Sequence, residues 1–213
     1  VIDPKYRGST HKLGKQLSFA RFLYMGMNIN MFTPLVHSEL MPPLDNNGNS
    51  ILWEFIGRKF LGMDYMEADI LSRSNKEFIL SLFPKDPIYT NLLPTDVKNI
   101  IGEVGPETKV VKKMLENIGF QYTKEVDPFD GGPHYRAKIS EILPIKNMIS
   151  GTFEVKKQLK TSTSKILLQI PNKKYPFYAV RTDAIIPSKK DEHILISGPL
   201  EIPEPFESNA IFF

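Results

Sequence analysis

The chain has 213 residues, of which 41% are hydrophobic and 24% are charged, and these proportions are typical of a folded globular protein. It contains no cysteine, so disulfides, thiolate catalysis and cysteine-ligated metals are excluded. No apolar run approaches the ~18 residues that a membrane helix needs, so no membrane span is expected and the chain is predicted to be soluble.

The net charge is +3, and the basic excess is concentrated near the start of the chain. Within residues 1–30 only Asp3 opposes five basic side chains, which are Lys5, Arg7, Lys12, Lys15 and Arg21. Such a cluster could bind phosphates, or it could be a solvated helix face. Aromatic residues do not alternate with the basic ones here, so nucleic-acid binding is not expected.

The first part of the chain is predicted to form several helices and one short strand. Apolar residues spaced by three and four predict an amphipathic helix over residues 13–31. A strand over 35–40 and a turn at 45–48 follow. Two further helices are predicted over 51–60, ending near Gly62, and over 66–82, with a break at 72–75 and an end before Pro84.

The middle of the chain continues the mixed pattern. Helices are predicted over 95–101, with Thr95 as the cap, and from Pro106 to Ile118. A strand over 120–126, a tight turn at 130–133 and a strand over 135–139 form a predicted hairpin.

After about residue 150 the sequence changes to short β-prone runs, at 166–170, 177–180 and 194–196. We therefore predict a mixed α/β domain over 1–149 and a small β-rich appendage over 150–213. The chain ends on Ile211, Phe212 and Phe213, and this apolar end is expected to pack on its own domain or on a partner.

The segment from Tyr6 to Lys15 is predicted to lie between a strand end and a long helix. Glycines, basic side chains and free N–H groups at a helix N-terminus together favour pyrophosphate binding. A plain turn is the alternative.

A series of motifs, in order along the chain, resembles the arginine N-succinyltransferase family, whose members have an acyl-coenzyme A N-acyltransferase-like (GNAT-like) fold. The motifs are Asp3-Pro4-x-Tyr6-Arg7, Leu17-Ser18-x-x-Arg21-Phe22, Trp53-Glu54-x-x-Gly57-Arg58-x-Phe60, Gly62-Met63-Asp64-Tyr65-x-x-Ala68-Asp69, Phe83-Pro84-Lys85-x-Pro87-Ile88-Tyr89, Phe129-Asp130-Gly131-Gly132-Pro133 and Val180-Arg181-Thr182-Asp183. The predicted fold is therefore the C-terminal portion of a GNAT-like domain with a small β appendage.

The resemblance implies an activity and a set of site residues. Family members transfer a succinyl group from succinyl-CoA to the α-amino group of arginine, and no metal is implied. The residues that would face the coenzyme A pyrophosphate are Arg7, Gly8, Gly14 and Lys15. The carboxylates of Glu39, Asp64 and Asp130 are the candidates for binding arginine or a similar cationic amine. Each of them could instead be a cap or a surface charge.

The sequence departs from the family pattern at three places near the expected site. The family's proposed catalytic histidine lies in Gly-x-Val-His-Pro, and this chain has Gly105 at that position, so no catalytic residue is assigned. Where the family has Glu-Met-Arg-Gly, this chain has Glu39-Leu40-Met41-Pro42 and so lacks the arginine, and Pro42 also removes a backbone donor. Asp86 replaces the histidine of the family's Pro-Lys-His-Pro. His134 follows the Gly-Gly-Pro turn, a site-like location in which the family carries no histidine, whereas His11, His37 and His193 lack a supporting context. None of the four is expected to replace the missing histidine. If the chain is active, Gly105→His is expected to raise the activity.

The resemblance begins near the end of the fold's fourth strand. We therefore expect the missing part of the sheet to come from a complementary N-terminal chain or another subunit. Localisation would be cytoplasmic for a bacterial member and an organelle matrix for a subunit of a eukaryotic assembly.

Two hypotheses remain. The chain is part of a working succinyltransferase that acts with its complementary chain, or it is an inactive family member that serves as a structural subunit of a larger assembly. Turnover by the assembled protein would separate them.

Overall fold

The computed structural model describes residues 2–75, 77–82, 84–159, 163–189, 192–198 and 205–213. Two compact units divide the chain: residues 1–35 with 138–213 form the first unit, and residues 36–137 form the second. The mixture of helices and sheets confirms the predicted α/β class. Lys76 and Phe83, which belong to a predicted helix and a family motif, lie outside the described residues.

The helices, in chain order, are α1 (Leu13–Met27), α2 (Ile51–Phe55), α3 (Gly57–Leu61), α4 (Tyr65–Ser72), α5 (Glu77–Leu82), α6 (Thr95–Ile100), α7 (Lys109–Asn117) and α8 (Leu143–Lys146). The strands are β1 (Leu35–Glu39), β2 (Gln121–Val126), β3 (Pro133–Lys138), β4 (Ile149–Lys156), β5 (Ser164–Gln169), β6 (Ala179–Ile185), β7 (Ile194–Ser197) and β8 (Phe206–Phe212).

Most predicted elements before residue 140 are confirmed, including β1, the break between α4 and α5, and the β2–β3 hairpin. The single helix predicted over 51–60 is wrong, because the chain leaves the helical path at Ile56 and continues as α3. Gly57 then lies against the Trp53 ring, where a Cβ would come within 2.1 Å of a ring carbon. Thr95 is not the cap of α6; Pro94 occupies that position.

The first unit contains a closed barrel with strand order β4-β7-β6-β5-β8. All of its strand pairs are antiparallel except β4 with β7. The barrel interior is apolar, and its core includes Phe153, Ile166, Leu168, Ile196 and Ala210, each fully shielded from solvent. The β-prone C-terminal part of the chain thus contributes the strands of a barrel with an apolar core.

The sequence patterns missed two barrel strands, β4 and β8. The predicted boundary between residues 149 and 150 falls at the first residues of β4, while the compact unit that holds the barrel also includes α1 and α8. Helix α1 contacts β5, β8 and α8, so this unit is assembled from both ends of the chain.

The apolar C-terminal residues pack within the first unit, which is the first of the two expected outcomes, packing on their own domain. Ile211 in β8 is fully buried, and the Phe213 ring meets the Phe19 ring of α1 at 5.6 Å. Among the helices in the described ranges, none is both long enough and apolar enough to cross a membrane.

The second unit contains a three-stranded sheet with the order β1-β3-β2. Beside it lies a cluster around Trp53, which is fully buried and packs with Tyr65, Ala68 and Phe129. The Trp53 Nε1–H donates to the Met63 carbonyl at 3.1 Å, so this ring is fixed by a hydrogen bond as well as by packing. The cluster packs against the start of α4 through Tyr65 and against the turn that precedes β3 through Phe129.

Candidate functional site

A cavity of about 450 Å³ opens in the second unit beside the end of β1, the helix α4 and the turn before β3. Its described lining carries four carboxylates and no lysine or arginine; the residues are Glu39, Leu40, Met41, Tyr65, Asp69, Ser72, Asp127, Pro128, Phe129 and Asp130. We call this the acidic cavity. A size of a few hundred Å³ and convergent polar groups are features of small-molecule sites.

Asp130 is the most perturbed carboxylate of the acidic cavity. Burial raises the pKa of Asp130 to about 6, with smaller contributions from the charges of Asp127 and Glu39. Two donors oppose this shift: the Gly132 N–H, 2.8 Å from Oδ1, and the Tyr65 hydroxyl, 3.3 Å from Oδ2. Because the neighbouring charges are negative, a cation that entered the cavity would favour the ionised form.

Tyr65 contributes a hydroxyl group to the lining of the acidic cavity. Its burial, together with the negative charge of Asp130, raises the pKa of the Tyr65 phenol, so the hydroxyl stays protonated and acts as a donor. The ring packs on Trp53 and Phe129. The buried aromatic cluster therefore holds the hydroxyl that orients Asp130.

The other carboxylates of the cavity differ in how they are compensated. Asp69 pairs with Arg73 at 2.6 Å, and Glu39 lies 3.4 Å from Nε2 of His37. Asp127 accepts the Phe129 N–H at 2.8 Å. Within the described ranges, no lysine or arginine lies within ion-pair distance of Asp127 or Asp130. This part of the cavity carries negative charge that a cationic ligand could neutralise.

Asp64, the third carboxylate that the resemblance suggested, does not line the acidic cavity. It forms an ion pair with Arg58, which also binds Glu54 through two nitrogens at 2.5 and 2.9 Å. The Asp64 side chain is 67% exposed. The structure brings Glu39 and Asp130 together and leaves Asp64 in a surface ion-pair network.

Gly105 lies next to the other departure from the family pattern. Its N–H donates to the Met41 carbonyl at 3.0 Å, and a Cβ on Gly105 would lie 2.7 Å from the Pro42 carbonyl oxygen. Residue 105 lines a second cavity of about 380 Å³, together with Met41 and Pro42. A histidine at 105 would require the Pro42 backbone to move. The two departures therefore lie in direct contact, and the rescue expected from Gly105→His meets a steric obstacle.

The predicted pyrophosphate loop lies in the first unit. Gly8 forms a turn with φ +71°, and Lys12 precedes α1 with φ 52°. Among the described residues, no side chain caps the start of this helix. Gly14 is in the first turn of α1. The Arg7 Nε–H donates to the Ile2 carbonyl at 3.2 Å, and the side-chain oxygen of Ser9 is shielded from solvent with no hydrogen-bond partner among the described residues.

Lys15, the remaining predicted loop residue, is held by aromatic rings. Its ammonium lies 4.7 Å from the centroid of Phe19 and 4.4 Å from that of Phe213. Partial burial, aided by the charge of Lys12, lowers the pKa of Lys15. The positive charge thus lies near the start of α1, beside two aromatic rings.

Sequence patterns identified Glu39 and Asp130 but missed Tyr65, Asp69 and Asp127 as neighbours of the same cavity. Tyr65 and Asp69 lie four residues apart on α4, a spacing that places them on one helix face. Asp127 precedes Asp130 by three residues in the turn before β3. The spacing of Tyr65 and Asp69 could have been recognised in the sequence. No sequence pattern indicates that the turn with Asp127 lies close to α4.

Comparison with known proteins places these features in a family. Residues 1–144 match the profile described as "AstA: Arginine N-succinyltransferase beta subunit". Two relatives named arginine N-succinyltransferase, from Escherichia coli O6:H1 (strain CFT073) and Escherichia coli O1:K1, are each 36% identical over 146 residues. These matches cover 68% of this chain and 42% of each relative, so the chain spans less than half the length of these relatives.

A solved structure shares the fold over a longer range than the sequence matches. It is described as arginine/ornithine succinyltransferase subunit AI from Pseudomonas aeruginosa, with a TM-score of 0.79 and 24% sequence identity. The match covers 100% of this chain and 60% of that chain. The predicted fold class is confirmed, and the likeness includes the barrel, which lies beyond the last residue of the family profile.

Proposed function

The chain belongs to the arginine N-succinyltransferase family, and from that membership we propose that it takes part in succinyl transfer from succinyl-CoA to the α-amino group of arginine or a closely related cationic amine. In this reaction the amine nitrogen attacks the thioester carbonyl, the C–S bond breaks, and the amine loses a proton while the coenzyme A thiolate gains one. The chain supplies groups that bind and orient the two substrates.

The acidic cavity is the main structural support for this proposal. Its uncompensated carboxylates, Asp127 and Asp130, are suited to a guanidinium or ammonium group, since a cation in a poorly solvated site needs carboxylate partners. Glu39 adds a third negative charge to the lining of the same cavity. We assign Glu39, Asp127 and Asp130 to substrate binding and leave Asp64 out, because Arg58 already neutralises the Asp64 carboxylate.

We assign the coenzyme A pyrophosphate to the start of α1 in the first unit. The uncapped N–H groups of this helix and the nearby basic side chains favour an anion. Arg7 and the glycines at 8 and 14 would contact the phosphates. Lys15 would contribute its charge rather than a hydrogen bond, because its ammonium already lies on two aromatic rings.

The proposed activity belongs to an assembly that is larger than this chain. The curated relatives are more than twice as long as the stretch they share with it. We propose that a complementary length of polypeptide, either continuous with this chain or a separate subunit, completes the acyl-coenzyme A site. No proton transfer is assigned to position 105, which has no side chain to carry it.

The test compares Asp130 with Asp64, since the family motifs suggested both as substrate-binding carboxylates. Asp130→Asn keeps the shape of the cavity and removes a charge, and we expect arginine binding to weaken by about 10- to 100-fold, the loss typical of a charged hydrogen bond. Asp64→Asn is the matched control, and we expect a change of less than about twofold because its carboxylate faces Arg58 outside the cavity.

The measurements are arginine binding by calorimetry and thiol release from succinyl-CoA, both on the assembled protein. Unchanged binding in Asp130→Asn, or equal losses in both variants, would remove the acidic cavity from the proposal. Arginine binding without any succinyl-CoA turnover would instead favour the alternative of an inactive structural subunit, for which the loss of the histidine at position 105 is the supporting observation.

A further inference from the structure

One side of the three-stranded sheet in the second unit carries a group of polar side chains with no role in the proposed activity except for Glu39. His37 and Glu39 alternate along β1 and so point to the same side of that strand. His134 and Arg136 do the same on β3. A hydrogen bond from Arg136 Nε to His37 Nδ1, 3.0 Å long, shows that both pairs lie on one side of the sheet.

Three of these side chains converge closely enough to share a ligand. One ring nitrogen of His37, one of His134 and one carboxylate oxygen of Glu39 all lie within 4.8 Å of one another. The His37 Nε2 atom is already 3.4 Å from the Glu39 carboxylate, and the two imidazole rings meet edge to face with centroids 4.6 Å apart. Ligands about 2.1 Å from a tetrahedral ion lie roughly 3.4 Å from each other, so small side-chain rotations would close the set.

His134 provides a second, independent observation. Its Nε2 atom is shielded from solvent and has no hydrogen-bond partner among the described residues. A polar atom that is shielded from water and unpaired costs free energy, and such an atom calls for an explanation. The Thr123 hydroxyl binds the backbone carbonyl of His134 at 3.1 Å, which holds this stretch of β3 against β2.

We propose that His37, Glu39 and His134 form a binding site for a divalent transition ion of the Zn²⁺ class. Two imidazole nitrogens and one carboxylate oxygen are a ligand set that Zn²⁺ accepts, with a fourth position left for water or another donor. Mg²⁺ and Ca²⁺ prefer oxygen ligands, so a site with two nitrogen ligands would bind them weakly. All three ligands lie in the second unit, so the site is contained in one compact part of the chain.

Arg136 determines how tightly the ion is held. Its hydrogen bond to Nδ1 makes that nitrogen an acceptor, so the neutral His37 ring carries its proton on Nε2, the nitrogen that faces Glu39. An ion at Nε2 must move this proton to Nδ1, which breaks the bond from Arg136. Arg136 is also paired with Glu125 at 2.5 Å, which offers its guanidinium a remaining partner. Arg136 therefore competes with the ion.

Occupation of this site would affect the acidic cavity, because Glu39 belongs to both. An ion bound to Glu39 would neutralise a charge that the cavity offers to a cationic amine. The metal site itself rests on the geometry of β1 and β3 and does not depend on the proposed transferase activity.

The test uses the untagged, metal-stripped protein, titrated with Zn²⁺ by calorimetry and with Co²⁺ by visible absorption. Tetrahedral Co²⁺ gives intense d–d bands, so it reports the ligand geometry directly. We expect a single Zn²⁺ site, with affinity reduced at least about tenfold in His37→Ala and in His134→Ala, as expected when one of three ligands is lost. Arg136→Gln should tighten binding several-fold.

His193→Ala is the matched control. His193 lies 3.5 Å from the Glu154 carboxylate, so it forms a similar histidine–glutamate pair, but it is not part of a described three-residue set. We expect no change in this variant. The proposal is overturned if the parent protein lacks the Co²⁺ bands, or if His193→Ala weakens binding as much as His37→Ala. His37 is exposed, so its variant decides the matter even if His134→Ala fails to fold.

Discussion

The barrel in the first unit and the acidic cavity in the second differ in what they bury: the barrel shields apolar side chains, and the cavity shields a carboxylate. The barrel interior holds apolar side chains such as Phe153 and Ile166, and its charged residues form exposed pairs such as Lys165 with Asp183 at 3.0 Å. The acidic cavity instead shields the carboxylate of Asp130 and places further negative charges beside it. Burial stabilises the barrel and costs free energy in the cavity, and a protein retains such a cost most often where it binds something.

The largest effect is expected in the barrel core. Phe153 is fully buried and packs against the Phe206 ring with centroids 5.9 Å apart, so Phe153→Ala should lower the free energy of unfolding by about 3 to 5 kcal/mol. Lys165→Ala, which breaks only an exposed ion pair, should change it by less than about 1 kcal/mol. Denaturant titration measures both. A loss below about 1 kcal/mol in Phe153→Ala would contradict the view that apolar burial holds the barrel.

A smaller effect is expected at Gly105, which lines the second cavity. Gly105→His must push back the Pro42 carbonyl, so we expect a loss of about 1 to 3 kcal/mol in stability and no gain in succinyl-CoA turnover. Gly151→Ala is the control, since a Cβ there would meet only the Ile194 side chain at an ordinary 3.5 Å. A stable Gly105→His protein with raised turnover would show that the Pro42 segment moves readily and that position 105 can still carry the proton.

The smallest effect is the pH dependence that Asp130 confers. Because burial raises the pKa of Asp130 from 3.8 to about 6, the folded state holds its proton more tightly than the unfolded state. Stability from this group is fully present below about pH 4 and falls as the pH rises to about 6, by roughly 1 to 2 kcal/mol after allowance for partial solvent access.

Asp130→Asn tests this directly, because the amide keeps a hydrogen-bond acceptor for the Gly132 N–H but does not titrate. The difference in unfolding free energy between the two proteins should change between pH 4 and 6 and be constant above that range. A difference that does not vary with pH would mean that the carboxylate is solvated and that the cavity stores little electrostatic free energy.

The family and much of the secondary structure could be predicted from local patterns. Helix α1 follows from the spacing of its apolar residues, although it ends at Met27 and continues only as a 3-10 turn to Met31. The β2–β3 hairpin follows from its glycine-rich turn. The split between α2 and α3 could not be predicted, because it depends on how Gly57 packs against Trp53.

Strands β4 and β8 were also missed, and the reason is physical. β4 runs parallel to β7 and antiparallel to β8, and these partners come from distant parts of the chain. A strand of mixed polarity, such as Ile149–Lys156, has little local signal until its partners supply the hydrogen bonds.

The sequence by itself determined the family, the mixed α/β class and two of the carboxylates, Glu39 and Asp130, because these depend on residue identity and order. Tertiary structure alone decided which charges are compensated: Asp64 meets Arg58, while Asp130 meets other carboxylates. It also brought Gly105 against Pro42, and His37 against His134, across separations in sequence that no local pattern spans. The physical reason is that electrostatic and steric interactions depend on how close two groups are in space, and the order of residues along the chain does not reveal that distance.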